Sequence, residues 1–437
     1  MAKKAKKPRG TAPEEQKKRR RRRKEWTFTN FQNVLALPER LATYLRLLLH
    51  LDKTSWDFCL DKLRQHVKWE AEVEDKRPKV QINVKGRERT SRSGPAYLAW
   101  SKSKGRGKGR RYFAAPCDEL GRVQKSILHR FISQVFVHFA RYGGQVGSSI
   151  MANAGHHAGF AKSVFSLDIV NAYPTVYRSR VRATLRKPFE FALRQFKGVT
   201  FSEEDVLKML DSITDLIVFK DRLPQGPPTS PRVFDIVCGK MDQEIFQWLE
   251  SNATPFQGYR YSAWTDNLTI SSDGEIPLEV RQKVIEIVRE NGFFPHMRED
   301  KMKYFSPETG ERPIVTGLVV LPDGRITMAP RKVNQLRARL HQLMLRKAWD
   351  KEAMMLIDGT IGFVREIYPK NLPSKLRDVV LAVEARRASM RVPVVHDESI
   401  EDEDAIMLDE DPETKVPSPS KKKDEGPTET VSEVVLM

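Results

Sequence analysis

Asp168 and Asp266 are the residues of this chain whose setting invites chemistry. Asp168 sits in Val164-Phe165-Ser166-Leu167-Asp168-Ile169-Val170, a mostly apolar run of strand type. Asp266 lies with Thr265 and Asn267 between two alternating stretches, Tyr259, Tyr261, Ala263 and Leu268, Ile270. That pattern reads as a hairpin with a carboxylate at its tip. Hard divalent cations need oxygen ligands close together, and two strands of one sheet can bring such ligands in from distant parts of a chain. Asp and Asn also tolerate the backbone angles of tight turns, so on spacing alone a turn chosen for geometry is the simpler account.

The stretch Leu223-Pro224-Gln225-Gly226-Pro227-Pro228-Thr229-Ser230-Pro231 lies between the two acids. A strand with Asp, a Pro-Gln-Gly turn opening a helix, and a hairpin with Asp, in that order, resemble the palm of a reverse transcriptase. Asn153-Ala154-Gly155-His156-His157 fits the NAxxH signature of retron reverse transcriptases, and Val315-Thr316-Gly317 fits their second signature, VTG. The resemblance covers about residues 96 to 395. It implies an α+β chain with a right-hand polymerase fold of fingers, palm and thumb.

The resemblance also implies roles. Asp168 and Asp266 bind a pair of Mg²⁺ ions that activate a primer 3′-hydroxyl and neutralise charge on the attacked phosphate. Asn267 completes the catalytic tip. Lys301, in Glu290 to Phe305, matches a lysine placed to protonate the pyrophosphate leaving group. Arg111 holds the nucleotide triphosphate, and Gln225 contacts the sugar where Gly226 lets the backbone approach. Tyr173, five residues after Asp168, is the aromatic gate against a ribose 2′-hydroxyl. Asn153, His157, Val315, Thr316 and Gly317 fall to RNA recognition, with a structural role also open for His157. The implied partners are a structured noncoding RNA as template and primer, the RNA/DNA duplex, dNTPs and an effector protein. The implied setting is defence against phage.

One departure stands out. Where the family carries Tyr-x-Asp-Asp, this chain has Trp264-Thr265-Asp266-Asn267. Asn removes one negative charge and offers metal only a neutral oxygen, so metal binding should weaken. The alternative this opens is a reverse-transcriptase fold serving as an RNA-binding scaffold.

The rest of the chain must position these groups. Its 437 residues, 40% apolar, suffice for a sizeable core in a few structural units. A formal charge of +19 asks for a polyanionic partner. Residues 1 to 25 carry 13 Lys and Arg against 3 Glu, residues 396 to 437 carry 14 Asp and Glu against 4 Lys, and these tails cancel. Such like-charge blocks are expected to stay disordered. Cys59, Cys117 and Cys238 are far apart with no CxxC pair, which points to reduced core residues in the cytoplasm. No apolar run approaches the roughly 18 residues a membrane span needs.

The expected organisation is a basic tail to residue 25, a helical extension over 26–95, fingers over 96–167, palm over 168–330, thumb over 331–395 and the acidic tail from 396. Within the extension, residues 70–95 look like a weakly patterned excursion. The loop Lys102 to Arg111 alternates cations with Gly and Ser in a way that suits phosphate. Leu120, Val123, Ile127, Phe131, Val135 and Phe139 suggest one helix stripe closed by Gly143-Gly144. Residues 331–347 form a basic amphipathic helix that resembles a thumb helix tracking a duplex.

Overall fold

The computed structural model describes residues 31–73, 80–84, 87–91, 94–103, 110–255, 257–298 and 301–389. The basic block 1–25, the acidic block 396–437 and the centre of the Gly-rich basic loop lie outside them.

Apolar residues at helical spacing form α1 (Gln32–Leu35), α2 (Glu39–Leu49) and α3 (Lys53–Val73). Leu41, Leu45, Leu48 and Leu49 of α2 are buried, as are Trp56 and Leu63 of α3. All belong to the main apolar cluster, so this extension shares the central core. Asn33 ties α1 in place, donating from its backbone to Asp215 Oδ2 at 2.8 Å. The expected excursion over 70–95 contains the end of α3 and an antiparallel pair, β1 (Val80–Val84) and β2 (Arg87–Ser91).

A second pair, β3 (Tyr97–Ser103) and β4 (Arg110–Pro116), runs antiparallel with Lys102 opposite Arg111. Helix α4 (Asp118–Arg130) buries Leu120, Val123 and Ile127. The stripe expected to continue to Phe139 breaks there. Past a 3₁₀ turn at Ile132–Gln134 the chain is irregular, and Phe136 and Phe139 are exposed. The run Val135-Phe136-Val137-His138-Phe139 alternates β-branched and aromatic residues, which disfavour a helix.

Then follow α5 (Ile150–Gly155), β5 (Ser163–Asp168), α6 (Ala172–Thr175), α7 (Arg178–Leu193), α8 (Glu203–Ile217) and α9 (Ser230–Ser251). The hairpin β6 (Tyr259–Trp264) and β7 (Asn267–Ser272), helix α10 (Leu278–Glu290) and β8 (Met302–Phe305) complete the central sheet. It has four antiparallel strands in the order β6-β7-β5-β8. Ile245 of α9 and Val284 and Val288 of α10 share the main cluster with Phe165, Leu167 and Ile270 of the sheet.

A smaller sheet, β9 (Ile314–Val315), β10 (Leu318–Val320) and β11 (Ile326–Met328), is ordered β11-β10-β9. It leads into α11 (Pro330–Met344), α12 (Lys351–Ile367) and α13 (Ser374–Ser389). Val333, Leu336, Leu340 and Leu343 of α11 are buried in a second apolar cluster, while Arg331, Lys332, Arg337 and Arg339 are exposed. The chain to Val383 forms one unit, and from Glu384 only the end of α13 is described. The mixed α+β class read from the sequence is the one observed.

Candidate active site

Strand β5 forms because Val164, Phe165 and Leu167 are buried in the sheet, and it ends at Asp168. Pairing with β7 sets Asn267 opposite Asp168, and pairing within the hairpin sets Trp264 opposite Asn267. Thr265 and Asp266 are thus the hairpin tip. Thr265 has φ 51°, a left-handed conformation that a β-branched residue keeps only when its surroundings hold it. The Ile169 amide donates to the Asp266 carbonyl at 2.8 Å, which binds the tip to the end of β5.

The two carboxylates therefore stand together at one end of the central sheet. Burial pushes the Asp266 carboxyl above the usual range, and the charge of Asp168 adds to that push. The Lys301 ammonium and the Arg111 guanidinium act against it. Lys301 contacts Asp168 Oδ2 directly, brought there because Met302 at the start of β8 pairs with Leu167. The Lys301 side chain is 42% exposed, against 14% for that of Asp168. Arg111 lies at the exposed end of β4, within electrostatic range of Asp266.

The Pro-Gln-Gly turn lies against β4, where the Ala114 amide donates to the Gln225 carbonyl at 2.8 Å. Gly226 has φ 138°, and a Cβ there would stand 2.6 Å from the Ala114 carbonyl oxygen. The close approach that demands glycine is thus to β4. Tyr173 lies on α6 with its ring 5.4 Å from that of Phe234. Burial raises its hydroxyl pKa, and the charges of Asp235 and Asp266 raise it further, so Tyr173 stands within electrostatic reach of Asp266.

Asn153, His157, Val315, Thr316 and Gly317 form a separate group. Thr316 (φ 47°) and Gly317 (φ 85°) make the tight turn joining β9 and β10, the primed kind that suits a hairpin. Asn153, fully buried on α5, donates to Thr316 Oγ1 at 3.4 Å, so the two signatures are in contact. Val315 is buried and Gly317 exposed. His157 has no exposed surface, and its ring nitrogens each lie 2.7 Å from a hydroxyl, Ser271 Oγ and Ser262 Oγ. Burial pushes its pKa down to about 3, so the ring is neutral. In this position His157 fastens β6 to β7 behind the hairpin and presents no atom to an RNA.

Asp168 and Asp266 offer hard carboxylate oxygens, and Asn267 Oδ1 is buried without a hydrogen-bond partner. Among the described residues no third His, Cys, Asp or Glu joins them. Two carboxylates and a free amide oxygen suit a hard divalent cation such as Mg²⁺.

Sequence reasoning missed a buried cluster behind the tip. Arg141 pairs there with Asp235 and Asp242, and Gly143, read as a helix stop, lies against the tip backbone. The available signal was Asp235 and Asp242 seven positions apart on an otherwise apolar face of α9.

Among the described residues no helix is long and apolar enough to cross a membrane. No model of a known protein family matches the chain. Among curated proteins it is similar to the retron Mx162 reverse transcriptase of Myxococcus xanthus, 29% identical over 62% of this chain and 58% of that protein. It is 27% identical to the retron Mx65 reverse transcriptase of the same organism, over 60% of this chain and 59% of that one. It is 24% identical to the retron Ec86 reverse transcriptase of Escherichia coli, over 61% of this chain and 75% of that one. The chain thus spans under two thirds of the two Myxococcus proteins. Among solved structures, a telomerase from Candida albicans with a fragment of telomeric RNA aligns with a TM-score of 0.34 at 12% identity, over 75% of this chain and 65% of that one. Several retron reverse transcriptases are therefore homologues of this chain, at 24–29% identity over about 60% of its length.

Proposed function

We propose that this chain is an RNA-directed DNA polymerase of the retron type, copying a structured noncoding RNA that serves as template and primer. The observation that carries the reading is the meeting of Asp168, Asp266, Lys301 and Arg111 at one end of the four-stranded sheet. Four separated stretches of sequence supply a carboxylate pair and two cations that act on it, and homology to retron reverse transcriptases supports the same chemistry.

Asp168, Asp266 and the Asn267 amide oxygen would hold divalent cations. Bound there, such ions lower the pKa of an attacking hydroxyl and neutralise charge on a transferring phosphoryl group. The chain's own residues do the rest. Arg111 is placed to attract a triphosphate to the acid pair. Tyr173, wedged against Phe234, limits the space beside it and so favours a deoxyribose. Gln225, fixed through its carbonyl to β4, is the residue we assign to the sugar of the incoming nucleotide. Lys301 is placed to give a proton to a departing pyrophosphate, since its ammonium already touches an active-site carboxylate.

The exposed cations of α11 suit a duplex backbone, so the helices α11 to α13 serve as thumb and the central sheet as palm. The Thr316-Gly317 turn, held by Asn153, projects toward solvent and is our candidate for recognition of the cognate RNA. We place the protein in the cytoplasm, in defence against phage, with an effector protein as partner.

The test is primer extension on RNA that copurifies with the protein, comparing wild type with Asp266→Ala. Extension by wild type that the variant loses, with RNA binding retained, is the expected result. A silent wild type on its own RNA, with Mg²⁺ or Mn²⁺, overturns the reading in favour of an RNA-binding scaffold.

A further inference from the structure

We propose that Arg141 is a positioning residue for Asp266, gripping the hairpin tip from inside the protein; the inference rests on the polymerase reading. The Arg141 side chain has no exposed surface. Its Nε donates to Asp242 Oδ2 at 2.6 Å and its Nη2 to Asp242 Oδ1 at 3.0 Å, a two-pronged pairing with helix α9. Its Nη1 donates to Asp235 Oδ1 at 3.1 Å and to the Thr265 carbonyl at 2.7 Å. Thr265 precedes Asp266, so one arm of a buried cation ends on the backbone of the tip.

The surroundings leave the guanidinium little freedom. Asp242 also accepts from the Tyr261 hydroxyl at 2.6 Å, and Asp235 accepts from Gln145 Nε2 at 3.3 Å. The Phe234 ring lies 5.6 Å away. A buried cation is tolerated only when it is paired and hydrogen-bonded, and here two carboxylates pair it and four of its five N–H donors have partners. The backbone follows the side chain. Ala263 donates to the Ala140 carbonyl at 2.8 Å and Tyr142 to the Ala263 carbonyl at 2.9 Å, so residues 140–142 run beside β6. A Cβ on Gly143 would stand 2.4 Å from the Thr265 amide nitrogen.

The tip needs such a hold for two reasons. Thr265 is in a left-handed conformation it would leave if free. Asp266 also faces the like charge of Asp168, which drives the carboxylates apart before any cation is bound. Arg141 opposes both tendencies by anchoring the tip backbone to α9. With Asn at 267, the placement of Asp266 matters more, because the site's anionic charge rests on two carboxylates.

The experiment uses the full chain, Mn²⁺ binding followed by electron paramagnetic resonance, and primer extension. Arg141→Lys keeps the buried charge and loses the fork. In a folded Arg141→Lys protein Mn²⁺ affinity falls about tenfold, and kcat falls roughly a hundredfold while KM for dNTP stays nearly unchanged. Gly143→Ala displaces the same tip without touching the charges and gives the same pattern, which keeps the test open if Arg141→Lys does not fold. Wild-type Mn²⁺ binding and extension in either folded variant overturns the proposal, as does a loss of binding that tracks the unfolded fraction in a melting curve. A wild type that neither binds Mn²⁺ nor extends a primer overturns the polymerase reading and this inference with it. An active wild type with unaffected variants overturns this inference alone.

Discussion

Asn267→Asp restores a carboxylate at the hairpin tip, and the geometry states what that does with and without metal. Residue 267 faces Asp168 across the β5–β7 ladder, where facing side chains begin about 5 Å apart. Two unit charges at that distance repel by roughly 3 kcal/mol at an effective dielectric near 20. The Asp168 side chain is 14% exposed and residue 267 is half-buried, so partial solvent screening brings this to about 1–2 kcal/mol. The metal-free variant is therefore less stable than wild type by about that amount. A divalent cation reverses the sign. The new carboxylate meets a double positive charge, and a gain of about 2 kcal/mol in binding corresponds to roughly thirtyfold in affinity. Carboxylate repulsion is present in both the bound and the free protein and cancels from this difference. Primer extension across a Mg²⁺ series, with melting curves at each concentration, reads both effects. The expected outcome is a lower melting temperature without metal and a half-maximal Mg²⁺ concentration at least tenfold lower. Identical Mg²⁺ dependence in two active proteins would refute the placement of residue 267 among the metal-binding oxygens.

Tyr173→Ala should raise ribonucleotide over deoxynucleotide incorporation by about tenfold in a competition assay; an active variant with an unchanged ratio returns Tyr173 to packing against Phe234. His157 has a folded pKa of about 3 against an ordinary value of 6.5, so it binds a proton more readily when unfolded, and its contribution is full above pH 6.5 and shrinks as pH falls toward 3. Asp235, raised to about 6 by burial, acts in the opposite sense between its ordinary 3.8 and 6, so the comparison must be wild type minus His157→Gln. That difference should shrink by up to about 1.4 kcal/mol per pH unit between pH 6.5 and 5 in denaturant titrations, and a pH-independent difference would show that the ring is not held neutral. Thr316→Ala should weaken binding to the cognate RNA about tenfold while leaving unrelated RNAs and the salt dependence unchanged. Val315 is left intact because it is buried, and a uniform loss across RNAs would deny the turn a role in specificity.

What could be read from the sequence divides along a physical line. Strand β5 was legible as a short apolar run and the β6–β7 hairpin through period-two alternation, both of them local signals. The nearness of their two acids followed from the order of motifs, and register put Asp168 opposite Asn267. Lys301 was legible as a candidate but not as a contact of Asp168, since that contact depends on which strand β8 pairs with. Residues 135–143 were misread because Val135 and Phe139 have helical spacing, yet in the fold Phe139 is exposed and Gly143 serves a distant backbone.

The Arg141 cluster shows where local reading stops and what would extend it. Asp235 and Asp242 are seven positions apart on α9, flanked by buried Phe234, Val237, Cys238, Met241 and Ile245. Two acids on a buried helix face are expensive unless a cation joins them, so the sequence of α9 alone requires a buried Lys or Arg from elsewhere. It does not say which, because the chain holds 76 of them. A cation suited to burial between two carboxylates should be an arginine, whose planar fork can meet one bidentately and still have a donor free. It should come from a stretch with few other charges and glycine beside it for close approach. Ala140-Arg141-Tyr142-Gly143-Gly144 meets these requirements, and the structure shows why each applies: the fork takes Asp242, the remaining donor reaches Thr265, and Gly143 makes room for the tip.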